Sequence, residues 1–149
     1  MNNLWATLQI GSISGAVGAV GNSLAIEATK ALGLKPGTGG LARLVFGHPL
    51  TRLQGEIFHF GMGVSMGVAY VLVVRDRLWG PGWLRGLLFA QVPGVMQLFW
   101  VLPSMGHGPG GIRISPLTPV LAWSLNALFG VIIGVIAGVP PPGARSTKP

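Results

Sequence analysis

The sequence predicts an all-α, polytopic membrane protein: a four-transmembrane-helix bundle that forms a single membrane domain over residues 1–149. Three observations carry this. Four stretches, Leu4–Ile26, Ile57–Val74, Gly86–Met105 and Leu117–Val139, each hold 18 to 23 residues without Asp, Glu, Lys or Arg. A hydrocarbon core of about 30 Å takes about 20 helical residues to cross, so each stretch fits one span. The 10 basic and 3 acidic residues all fall between or beside these stretches. Only 9% of the chain is charged and half is hydrophobic, against about 25% charged in an ordinary soluble domain.

The first stretch carries Gly11, Gly15, Gly18 and Gly21 and follows Met1-Asn2-Asn3, which has no charged side chain. A cleavable signal has a basic start and an apolar run of about 7–15 residues. This longer run is expected to remain as a membrane helix. It ends at Glu27, with Lys30 three residues on, so the two share a helix face. The second helix carries Gly63 and Gly67, and a short link with Arg75, Arg77 and Arg85 leads to the third, where Gly86, Ala90 and Gly94 recur at intervals of four. Pro93 predicts a kink there, because its ring displaces the preceding turn and removes a donor. The carbonyl freed near Phe89 or Ala90 then needs a partner, and Gln91 and Gln97 are at hand. Pro103 predicts the end of this helix and a Gly/Pro-rich loop to Pro119. The fourth helix carries Gly130, Gly134 and Gly138, and residues 140–149 form a flexible tail. Small residues four apart lie on one face and let helices approach closely where lipid gives no hydrophobic drive, so Gly11, Gly15, Gly63, Gly67, Gly130 and Gly134 are expected at helix–helix contacts. The two halves show no internal repeat, which weighs against a single-chain transporter.

A net charge of +7 and a pI near 11.6 would point to nucleic acid in a soluble protein. Here the basic residues flank membrane segments, so the expected partners are the lipid bilayer and other membrane subunits or copies of the chain, with no nucleic acid. Five Lys or Arg fall on each side of a four-span topology. The crowding of Arg75, Arg77 and Arg85 beside two helix ends favours cytoplasmic termini.

Polar residues at membrane depth are the candidate site. Glu27 and Lys30 are the ion or proton candidates, with Asn22 and Ser23 extending them inward, since intramembrane carboxylates are costly and tend to be used. Gln91, Gln97, Ser124 and Asn126 are expected to bond across helices. Antiparallel neighbours place the start of the second helix and the end of the third on one side. His59, Met62, Met105 and His107 are therefore the cofactor-binding candidates, with His48 nearby and Met66 continuing the face of His59 and Met62. Imidazole and thioether can ligate copper or serve as an axial pair on haem, although structural roles for these residues, with no cofactor bound, are the simpler expectation. The absence of cysteine removes thiolate sites.

Enzyme signatures are missing: no Gly-x-Ser-x-Gly, no His-Glu-x-x-His, no phosphate loop. The chain is expected to be non-catalytic. The run from Gly55 through Gly106 resembles the YagU-like family of bacterial inner-membrane proteins, on His59 and Tyr70, the Trp83-Leu-Arg-Gly-Leu-Leu opening of the third helix, Pro103-Ser-Met-Gly106 at its end, and Glu27 after a Gly-rich first helix. The long first loop associated with that family is missing, and the fourth helix matches poorly. The resemblance implies a small multi-pass protein of the bacterial inner membrane and no catalytic residues. The expected function is a non-catalytic subunit of a homo-oligomer or larger membrane complex; a small channel or transporter and a haem- or copper-binding electron carrier are the alternatives.

Overall fold

A computed structural model describes residues 2–138; Met1 and residues 139–149, which include the expected tail, lie outside the described residues. The regular elements among the described residues are all helical. α1 is Asn2–Ala31, α2 Gly40–Phe46 and α3 Arg52–Ala69, which runs on through a π turn, Tyr70–Val74. α4, Gly82–Met96, continues through a second π turn, Gln97–Val101, into the single turn α5, Leu102–Ser104; α6 is Thr118–Ala137. Four helical stretches, Leu4–Ala31, Arg52–Val74, Gly82–Ser104 and Thr118–Ala137, are long and apolar enough to cross a membrane.

The helix ends depart from the apolar stretches for local reasons. α1 does not stop at Ile26: Glu27 and Lys30 lie in its closing turns, bridged at 2.8 Å. α3 starts at Arg52 rather than Ile57 because Thr51 builds a capping box. The Thr51 hydroxyl accepts from the Gln54 amide at 3.3 Å, and the Gln54 side chain accepts from the Thr51 amide at 3.0 Å, which satisfies two donors the helix start leaves open. α2 was not expected at all. It is set off by Gly39 and Gly47 at φ 85 and 73, left-handed values that suit glycine.

Glycines line two antiparallel helix pairs. Between α1 and α3, a Cβ added at Gly15 would meet the Val64 Cα at 2.8 Å, one at Gly67 would meet the Gly15 Cα at 2.6 Å, and one at Gly63 would meet the Ala19 Cβ at 2.6 Å. Between α4 and α6 the same contacts recur: Gly86 against the Gly130 carbonyl, Gly134 against the Gly86 Cα at 2.9 Å, and Gly130 against the Ala90 Cβ at 2.5 Å. Gly15, Ala19, Gly63 and Gly67 thus correspond one to one with Gly86, Ala90, Gly130 and Gly134. This corrects the expectation that the halves are unrelated: the fold is one hairpin used twice, pointing the same way both times.

The hairpins join through α1 and α6, where Gly18 faces Phe129 and Ile133 and Gly21 faces Ile132. The reciprocal pairing of α3 with α4 is largely missing. These helices meet chiefly where the π turn Tyr70–Val74 reaches α4. There Tyr70, Val71, Phe129, Ile133 and Ala137 form a buried cluster, flanked by Ile10, Met66, Val74 and Phe89. The Tyr70 and Phe89 rings lie 5.5 Å apart. At the opposite end α3 and α4 diverge, and α2 spans the gap between α3 and the second π turn.

Candidate functional site

The divergence leaves a cleft of about 870 Å³. α1 supplies Asn22, Ser23, Ile26, Glu27 and Lys30, α6 supplies Leu125, Asn126 and Phe129, and the walls come from α3 and from α4 with its π turn. Its inner end reaches Met66 and Phe129, which belong to or pack against the buried Tyr70 cluster. Its mouth lies beside the 32–51 and 105–117 connections, where the Thr118 hydroxyl donates to the Lys35 carbonyl at 2.8 Å and ties one connection to the other hairpin. The Thr118 methyl is packed so closely against Gly37 and Gly111 that a Cβ at either would stand 2.8 Å from it. The Met105 sulfur sits 2.7 Å from where a Cβ on Gly40 would stand, so α2 rests directly on the end of α4 and α5. A shallower groove beside α1 and α3, lined by Val20, Leu24, Ile57 and Phe60, shares Ser23, Glu27, Arg52 and Glu56 with the cleft.

All six residues proposed from the sequence as cofactor, ion or proton candidates line this one cleft: Glu27, Lys30, His59, Met62, Met105 and His107. His48 does not line it; its Nδ1 lies 3.0 Å from the Pro49 carbonyl. At the mouth Glu27 pairs with Lys30 at 2.8 Å and, more loosely, with Arg52 at 3.8 Å. Glu56, a turn inside, accepts from the Ser23 hydroxyl at 3.0 Å. Both glutamates of a strongly basic chain therefore line the same space.

Deeper in, the two hairpins each place one polar side chain at the equivalent position, four residues before the contact glycine: His59 on α3 and Asn126 on α6. Asn126 is satisfied, donating to Gln97 at 2.8 Å and to the Ala122 carbonyl at 2.9 Å. The Nε2 of His59 is buried without a hydrogen-bond partner, as is the Oδ1 of Asn22. Two expectations about polar pairing need correction. Gln91 donates to the Leu87 carbonyl of its own helix at 2.7 Å rather than across to another, and Gln97 is taken by Asn126, so neither serves the carbonyls near Pro93. Ser124 is exposed and bonds to no other helix.

Two features escaped the sequence reading. Met96 also lines the cleft, so Met62, Met66, Met96 and Met105, all the methionines beyond Met1, share one cavity. The repeat had a visible signal: Gly63-Val-x-x-Gly67-Val and Gly130-Val-x-x-Gly134-Val match at the contact face. Among the described residues no three His, Cys, Asp or Glu side chains gather as a metal cluster. No protein-family model, curated protein or solved structure matches this chain.

Proposed function

We propose that this chain is a small, non-catalytic, multi-pass carrier of the bacterial inner membrane that holds a solute in the cleft between its two hairpins. The observation that carries this reading is a deep cleft, shut at one end and open at the other, at the junction of two repeated units. Carriers built from parallel repeats keep their site at the repeat interface and work by rocking one unit against the other. The two tight glycine faces make each hairpin a stiff body, and the hairpins join through α1 and α6 but hardly through α3 and α4, so rocking would pivot on the α1–α6 contact. Pro93 and the π turn Gln97–Val101 line the mobile wall, and such interruptions recur at functional sites because they leave backbone groups and side chains re-aimed. The clustering of Arg75 and Arg77 in the α3–α4 link with Arg85 at the start of α4 supports cytoplasmic termini and a cleft open to the other side. The resemblance to the YagU-like family agrees with the proposed location.

Thiol accessibility tests this reading. The chain has no cysteine, so each introduced thiol reports alone. Met62→Cys should react with a membrane-impermeant maleimide added from the non-cytoplasmic side, whereas Val71→Cys, in the closed cluster, should not react from either side. Protection of Met62→Cys from both sides would mean a filled cleft, as in an accessory subunit packed against a partner, and would overturn the carrier.

A further inference from the structure

Resting on the carrier reading, we propose that the cleft holds a soft monovalent metal cation, Cu(I), on His59, Met62 and Met66. The three residues stand at i, i+3 and i+7 on α3, one helical face where Cβ atoms of neighbours three or four apart are about 5–6 Å from one another. An imidazole and two long thioethers at that spacing can converge on one ion, with bonds of about 2.0–2.3 Å. All three line the cleft.

The state of the imidazole points the same way. Its Nε2 is buried and has no hydrogen-bond partner. A buried imidazole nitrogen without a partner is the group through which histidine ligates metal ions. Leaving a buried acceptor unpaired is costly, so an occupant that uses its lone pair relieves a penalty the empty site carries.

The donor set selects the ion. With no cluster of three His, Cys, Asp or Glu among the described residues, hard and borderline divalent ions lack the ligands they need. Neutral thioethers with one imidazole suit Cu(I). Four thioethers in the cleft give further donors: Met96 faces the same space from α4, and Met105 lies at the mouth. The thioethers carry no proton, so they can bind without displacing one. Glu56, one turn from His59 toward the mouth, offers a carboxylate on the path of an incoming cation; Glu27 is taken by Lys30 and Arg52, and Arg43 also lines the cleft.

The test uses full-length protein in nanodiscs, Cu(I) kept reduced by ascorbate, and a chromophoric bicinchoninate competitor. One equivalent of Cu(I) per chain should be withdrawn from the competitor, and X-ray absorption should show a mixed nitrogen and sulfur shell. Ag(I) should displace the ion and Zn(II) should not. Loss of an outer-shell partner alone costs about 10–100-fold in metal affinity, so His59→Ala should weaken binding by at least about tenfold. The volume-conserving double variant Met62→Leu/Met66→Leu should do the same and keeps the test available should His59→Ala fail to fold. His48→Ala, outside the cleft, should bind as wild type. No withdrawal of Cu(I), displacement by Zn(II), or unchanged affinity in both cleft variants would overturn the proposal. Failure of Cu(I) to bind while Met62→Cys stays accessible would remove the metal and leave the carrier standing.

Discussion

His59 and Asn126 occupy the same position in two copies of one helical hairpin, each four residues before the glycine, Gly63 or Gly130, on which its hairpin closes. Asn126 is bonded to its own side of the cleft, and the Nε2 of His59 is not bonded at all. A repeated backbone with unlike polar groups at equivalent points gives a cleft with one committed wall and one receptive wall.

The glycine faces make a stability prediction. Gly15→Ala and Gly86→Ala each force a methyl against a backbone that cannot yield, and overpacking of this kind costs about 1–3 kcal/mol. Gly61, with nothing within 4 Å of an added Cβ, is the control: Gly61→Ala should be neutral or stabilise by up to about 1 kcal/mol. Thermal unfolding in detergent measures both, and equal effects at the three positions would contradict the packing described.

The Gln97–Asn126 bond ties α4 to α6 beside the cleft. Such bonds within membranes average about 0.6 kcal/mol in double-mutant cycles. The cycle built from Gln97→Leu and Asn126→Leu should give a coupling of that size, with each single variant losing more than the pair because an amide is left unpaired. Zero coupling would show that the bond is not formed.

Much of the architecture was legible from the sequence. The length of the uncharged runs gave the four helices long and apolar enough to cross a membrane. His59, Met62, Met105 and His107 were legible as a group because antiparallel connection fixes which helix ends share a side; Glu27 and Lys30 were read as a separate pair, and only the cleft brings the two sets together. Helix ends were less so. Thr51 and Gln54 start α3 through hydrogen bonds that hydropathy ignores, and α1 carries charged residues in its last turns because Glu27 and Lys30 pair with each other. α2 was illegible, since seven residues give too few turns for periodicity and its place depends on Met105 packing onto Gly40. The cleft was illegible for a different reason: it is a missing contact between α3 and α4, and no local pattern encodes an absence.

Orientation is tested by thiols outside the spans. Arg77→Cys, in the α3–α4 link, should be labelled only from the cytoplasmic side, and Arg43→Cys, on exposed α2, only from the opposite side. The reverse pattern would place the cleft mouth in the cytoplasm.

The same link makes a pH prediction. Arg75 donates to Asp76 at 3.0 and 3.2 Å and, by that bond and its charge, holds the carboxyl below its ordinary value. The folded state therefore binds its proton more weakly than the unfolded chain. The stabilisation is complete above the unfolded value of about 3.9 and is lost as pH falls through the lower folded value. Asp76 is largely exposed, so the effect is small. Asp76→Asn should lower Tm slightly at pH 7 and not at all near pH 2; a gap that grows on acidification would contradict this.

Movement of one hairpin against the other is the central claim, and spin-label distances across the cleft mouth test it most directly. Leu53→Cys on α3 and Ser104→Cys on α5 are exposed and belong to different hairpins, while Leu53→Cys and Leu32→Cys lie within one hairpin. The cross-cleft pair should show two distance populations in nanodiscs and the within-hairpin pair a single narrow one. A single narrow distance for both pairs would describe a rigid bundle and contradict the carrier.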